Sequence, residues 1–178
     1  MKKIVLTFGL IAGVIMSSSM IIGLPFREQI GLDRGMVIGY TTMVLAFLMV
    51  YFGVRQYRDT AAGGSIGFGR AFAVSMAIVG VATVCYVATW EVIYFFVTPD
   101  YSDAYAAHAV DKLRQAGAPE AQVAAKIKEM EEFKVMYRNP LINIAFTMLE
   151  PLPVGLLASL VTAWMLSRKR RVAAIATA

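Results

Sequence analysis

Two carboxylates stand where a carboxylate is costly. Glu91 and Glu150 each interrupt a long apolar run, and an acid inside a membrane helix costs about 2.5 kcal/mol or more on insertion scales. Such a residue is a candidate for proton or cation handling. Glu150 opens the string Glu150-Pro-Leu-Pro-Val-Gly155. A proline lacks an N–H and frees the carbonyl four residues back, so Pro151 and Pro153 release those of Thr147 and Leu149. Free carbonyls, a carboxylate and an adjustable backbone are the ingredients of an ion or proton site at a broken membrane helix. Asn143, Thr147 and Glu150, spaced by four and three, share one helix face. The plainer alternative is a proline kink, with Glu150 protonated or hydrogen-bonded to a nearby Tyr, Thr or Asn.

Other chemistry has little to stand on. One cysteine, Cys85, and one histidine, His108, exclude a disulfide framework, a CxxC site and a multi-histidine metal centre. Cys85 reads as a small apolar residue and His108 as a surface residue. The glycines of GGSIGFGR lack the lysine-serine pair and the order of a phosphate loop. Ser17, Ser18 and Ser19 have no accompanying base. No enzyme, cofactor or metal is expected.

The elements that position these residues follow from composition. Hydrophobic residues make up 58% of the 178 and charged residues 16%, against about 25% charged in soluble domains. Such a chain needs lipid as a solvent. Four runs reach the roughly 20 residues that cross a bilayer: 4–24, 36–54, 71–97 and 140–166. The expected fold is an all-α integral membrane domain of four transmembrane helices spanning 1–178. Gly9 and Gly13 form a small-xxx-small pair suited to close helix packing. The first run is read as a retained helix rather than a cleaved signal, since no A-x-A site follows it.

Basic residues set the orientation. With the N-terminus inside, inner segments carry nine basic residues against one acid, Asp59, while outer segments carry eight against nine acids. The tail 167–178 is dominated by Arg168, Lys169, Arg170 and Arg171, a cluster suited to lipid headgroups and to holding the C-terminus inside. Both termini are expected to be cytoplasmic in a bacterial inner membrane. On this topology Glu91 lies about 9 Å and Glu150 about 14 Å below the outer surface, so the two could meet.

The outer segment 98–138 is too patterned for a bare loop. Gly117-Ala118-Pro119-Glu120 joins a helix stop to a helix start. Val123, Ile127, Met130, Phe133 and Tyr137 then recur at spacings of four, three, three and four, one face of an amphipathic helix. Residues 103–116 form a second helical candidate, so 98–138 is expected to be an extracytoplasmic helical hairpin. It is either a passive cap, or a lid or docking surface for a periplasmic partner.

Tyr137-Arg-Asn-Pro140, the string from Thr147 to Gly155, Ser159-Leu160 and the basic tail together resemble the bacterial membrane family catalogued as domain of unknown function 4199. Gly67-Phe-Gly-Arg-Ala-Phe72 and the Gly9–Gly13 helix fit the same pattern. The resemblance implies a four-helix inner-membrane protein with no established activity, and it brings no catalytic residues. Two functions remain open. One is a non-enzymatic accessory or interaction protein, with membrane lipids, a second copy or a membrane or periplasmic protein as partner and no nucleic acid. The other is a small proton- or cation-coupled carrier with Glu150, aided by Glu91, as the titrating group.

Overall fold

The computed structural model describes residues 1–167, so Arg168, Lys169, Arg170 and Arg171 lie outside the described residues. The elements in order are α1 (Lys2–Gly23), α2 (Arg27–Ala46), α3 (Leu48–Ala61), α4 (Phe68–Val92), α5 (Tyr101–Gln115), α6 (Glu120–Tyr137), α7 (Pro140–Leu149) and α8 (Pro151–Ser167). Three helical stretches are long and apolar enough to cross a membrane: Lys2–Ala61, Phe68–Val97 and Pro140–Ser167. Their outward faces carry Val14, Val84 and Leu157, each more than 60% exposed. Water would not tolerate so much contiguous apolar surface, and these stretches suggest a membrane location.

The first stretch doubles back. Ser19 on α1 meets Thr42 on α2 at 3.2 Å, and Phe8 lies against Gly53 on α3. Rising numbers on one helix meet falling numbers on the other, so α2 and α3 return along α1. The turn is made by the 3-10 segment Leu24–Phe26 with Pro25 at its start.

Helix α4 is the central element, packed by α1, α3, α7 and α8. Its approach to α1 is close because α1 presents no side chain there. A Cβ on Gly9 would sit 2.5 Å from Val81 Cβ, and one on Gly13 would sit 2.6 Å from Cys85 Cβ. One turn further, Thr89 donates to Ser17 at 2.8 Å. The three contacts keep one register, so α1 and α4 run parallel with the small-xxx-small stripe at the seam. From the other side, Gly155 on α8 meets Val79 at 2.5 Å from its would-be Cβ. Between these contacts the side chains of Val50, Val54, Ile78, Val79 and Ala82 are fully buried.

The helices break at places the apolar runs do not mark. The expected span 36–54 is divided at Phe47 (φ −74°, ψ −3°), where the Val50 N–H bonds to the Phe47 carbonyl at 3.0 Å in a 3-10 step. Phe47 is 2% exposed and packs on the space left by Gly155. Gly31, at φ 72° and ψ 163°, kinks the first part of α2, a conformation open to glycine. The expected span 71–97 starts earlier, at Phe68, and ends in a π-helical turn, Ile93–Val97. There the Thr98 N–H donates to the Ile93 carbonyl at 2.8 Å. The span 140–166 is divided at Glu150 into α7 and α8.

Helices α5 and α6 form the hairpin. Gly117 (φ 72°) ends α5, with the Ala118 N–H reaching back to the Leu113 carbonyl at 3.1 Å, a glycine-type C-cap. Ser102, Ala106 and Val110 of α5, with Val123, Met130 and Tyr137 of α6, are buried.

Gly13→Val should lower the stability of the purified protein by about 1–3 kcal/mol, the usual range for overpacking. Gly80, with nothing within 4 Å of its would-be Cβ, is the control. Thermal unfolding in detergent that leaves Gly13→Val and Gly80→Val equally stable would show that the α1–α4 seam is not close-packed.

Candidate functional site: a roofed cavity at the hairpin end

Three of these departures, the Gly31 kink, the π turn and the break at Glu150, lie toward the hairpin end of the bundle, while the break at Phe47 lies against Gly155. Those three border a cavity of about 710 Å³. Helix α2 supplies Met36, Tyr40 and Thr42, α4 supplies Tyr86 and Trp90, and α7 with the break after it supplies Phe146, Leu149 and Glu150. The hairpin closes the top with Tyr101, Tyr105, Phe133 and Tyr137.

Glu150 is placed by its prolines. Pro151 starts α8 without an N–H, so α7 ends at Leu149 and the Glu150 N–H turns to the Thr147 carbonyl at 3.4 Å. The side chain then lines the cavity and its Oε2 accepts the Tyr86 hydroxyl at 2.6 Å. That is a short hydroxyl–carboxyl hydrogen bond. Among the described residues Glu150 has no basic partner within ion-pair distance.

A polar chain braces the wall behind it. Trp90 Nε1 donates to the Tyr137 hydroxyl at 3.2 Å, and that hydroxyl lies 3.5 Å from Thr147 Oγ1. Thr147 donates to Asn143 Oδ1 at 3.2 Å, and Asn143 Nδ2 donates to the Tyr137 carbonyl at 3.4 Å. Asn143 and Thr147 are at most 1% exposed, so they are consumed in holding α6 to α7. Upstream, the Asn139 side chain caps α7 by accepting the Leu141 N–H at 3.0 Å, with Pro140 at the first helical position.

Rings continue the same wall. Trp90 meets Tyr101 edge to face at 4.8 Å, Tyr94 meets Tyr137 the same way at 5.2 Å, and Phe133 stacks on Tyr137 at 5.0 Å. Such geometries are the favoured ones for aromatic pairs. Burial pushes the Tyr101 hydroxyl up to about 12, with the Glu150 carboxylate as a second cause.

Ion pairs hold the roof to the bundle. Arg27, at the start of α2, grips Asp100 through two nitrogens at 3.3 and 2.9 Å. Asp33 takes Lys112 at 2.9 Å and His108 at 3.3 Å, both from α5. Within the hairpin, Lys134 bridges Asp103 at 2.8 Å and Glu131 at 2.9 Å. Lys134 holds the Asp103 carboxyl below its ordinary value, and Asp103 and Glu131 raise Lys134 in return. Arg27 does the same to Asp100.

The residues singled out in the sequence divide at this site. Glu150 faces the cavity; Asn143, Thr147 and Pro151 are buried behind it, and Pro153 is exposed on α8. Gly9 and Gly13 lie at the α1–α4 seam, away from the cavity. Glu91 does not line the cavity; its Oε1 is buried without a hydrogen-bond partner among the described residues. One residue past Trp90, it points about 100° round the helix from the wall. Arg27, Asp33 and Asp100 were legible only as loop charges. His108, on the surface, is one of Asp33's partners.

Residues 7–168, which contain all of these positions up to Arg168, match the family described as protein of unknown function (DUF4199). The chain belongs to the DUF4199 family. No curated protein and no solved structure matches it. The DUF4199 match spans the cavity, the hairpin and the glycine seam alike.

The ion pairs give the DUF4199 hairpin an acid limit. A carboxyl with a lowered folded-state value contributes stability above the ordinary carboxylate range and loses it as pH falls through the lowered value. With Trp164→Phe leaving Trp90 as the reporter, emission should hold steady near neutral pH and change at strongly acid pH as Trp90 loses Tyr101. Lys134→Met should move that transition to higher pH. An unmoved midpoint would mean that the Asp103–Lys134 pair does not hold the hairpin.

Proposed function

We propose that this chain is a bacterial inner-membrane protein that crosses the bilayer four times, with both termini cytoplasmic. It works without covalent chemistry, as a binding or accessory protein, through the extracytoplasmic hairpin and the cavity beneath it. Length supports the four crossings. Helix α1 has 22 residues, about 33 Å at 1.5 Å per residue; α2 with α3, α4 with its π turn, and α7 with α8 are each longer. Basic residues at the other end of the bundle, Lys2, Lys3, Arg55, Arg58 and Arg70, support the orientation.

The observation that carries the reading is the position of the cavity. It lies at one end only, with a hairpin latched over it by pairs to Arg27 and Asp33 and a carboxylate on its floor. A surface built that way meets ligands or partners from the outer side. A cation- or proton-coupled carrier using Glu150 is the second reading, favoured by the Tyr86–Glu150 contact. It requires a path to the other side. There the glycine contacts at Gly9, Gly53 and Gly155 and the fully buried Val50, Val54 and Ile78 close the bundle, so a carrier would have to part them.

Topology is tested by cysteine accessibility in a Cys85→Ala background. Gln115→Cys in the hairpin should label with an impermeant thiol reagent in spheroplasts, and Lys169→Cys should not. The reverse pattern would invert the protein in the membrane and end the extracytoplasmic assignment. For the carrier reading, Glu150→Gln should abolish a pH-driven flux in proteoliposomes; no flux from the unsubstituted protein leaves binding as the activity.

A further inference from the structure

The cavity has a chemistry more definite than its shape. Two of the residues lining it, Arg27 and Glu150, are charged. Arg27 is spent on Asp100 through a two-point contact, which leaves Glu150 as the acid of the wall with no basic partner among the described residues. Hard inorganic cations take about six or more oxygen ligands, whereas the hydrogen bond of the Glu150 side chain among the described residues is to the Tyr86 hydroxyl, and the aromatic residues Trp90, Tyr101 and Tyr137 line the same cavity. Aromatic faces with a carboxylate attract organic cations, which carry weakly hydrated charge.

The remaining wall is apolar and leads outward. Met36, Ile38, Phe146 and Leu149 line the cavity and yet are 51%, 47%, 42% and 61% exposed. They sit on α2 and α7, so in the membrane orientation proposed above these lining residues would meet lipid.

We propose that the cavity binds a monovalent organic cation with an apolar body, the positive centre seated beside Glu150 and Tyr86 within the Trp90–Tyr101–Tyr137 wall and the body running between α2 and α7. This rests on the binding reading above and names its ligand class. The shared chemistry, a cation on an apolar chain or ring system, occurs both in amine-headed phospholipids and in free lipophilic cations. The cavity fits both, and the ion it rejects is the anion of the same shape.

The test uses the full chain purified in a maltoside detergent, with radiolabelled tetraphenylphosphonium as the probe and tetraphenylborate as its anionic counterpart. Tetraphenylphosphonium should bind saturably at one per chain and tetraphenylborate should not compete. Glu150→Gln should weaken the cation at least tenfold, and Tyr86→Phe, which removes only the hydroxyl, a few-fold. Trp90→Leu should weaken it without altering the preference for cation over anion. Equal competition by the borate, or unchanged affinity in a folded Glu150→Gln, overturns the proposal. The cation–anion comparison needs no variant, so it decides even if Glu150→Gln does not fold.

A second arm identifies the source. In nanodiscs, loss of tetraphenylphosphonium binding when phosphatidylglycerol is partly replaced by phosphatidylethanolamine assigns the site to the lipid headgroup; no effect assigns it to free cations. Binding in detergent does not depend on orientation. Failure here with a correctly outward hairpin removes the ligand class alone, and cation binding with an inverted hairpin removes the topology alone.

Discussion

The whole arrangement depends on how closely other helices can come to α4. In lipid there is no gain from moving an apolar side chain off the solvent, so helices associate through packing and a few hydrogen bonds. Packing is strongest where backbones touch. Gly9 and Gly13 bring α1 against Val81 and Cys85, and Gly155 brings α8 against Val79 from the other side. These approaches fix the register of α1 and α8 on α4 to within a residue. Everything at the far end, including the level of Glu150 relative to Tyr86, is set by that register.

A bundle that is close-packed at one end can be irregular at the other. The kink at Gly31, the π turn after α4 and the break at Glu150 all fall toward the hairpin. Each forfeits regular backbone hydrogen bonds, which a membrane helix surrenders only where something replaces them. Replacement is visible at two of them: Thr98 on the Ile93 carbonyl and Glu150 N–H on the Thr147 carbonyl. Together they part α2 from α7 and leave room for a cavity that straight helices would have closed.

What could be read from the sequence was what depends on local pattern. Apolar length marked the helical stretches, Gly117 and Pro119 marked the hairpin turn, and the small-residue pair in the first helix marked a packing seam. Azimuth and tertiary departures were not legible. Phe47 divides a helix without a glycine or proline, and its ring packs against Gly155, more than a hundred residues away in sequence. On α6, Ile127 was expected in the buried stripe and is 41% exposed. The half-buried Lys126 and Lys134 stand beside that stripe instead, since a lysine stem covers apolar surface while its amine stays with Glu129 or Asp103. A stripe drawn from apolar residues alone misses them. The cavity itself has no sequence signature, because its walls are drawn from six helices, α1, α2, α4, α5, α6 and α7.

Glu91 and Glu150 show why depth alone does not make a site. Both were placed in the same half of the bundle from residue counts. A carboxylate becomes useful when its surroundings admit something to it, and the two differ in that respect. Glu150 stands at a helix break, keeps a hydroxyl donor at 2.6 Å and opens onto a cavity. Glu91 sits at the end of α4, two residues before the π turn and off the cavity wall, with one oxygen enclosed and unbonded among the described residues. An enclosed, unbonded oxygen bears a desolvation cost without gaining an interaction. The prolines after Glu150 are what separate the two cases. By ending α7 they place the Glu150 carboxylate at a break that opens onto the cavity, whereas the π turn that follows Glu91 leaves that residue off the cavity wall.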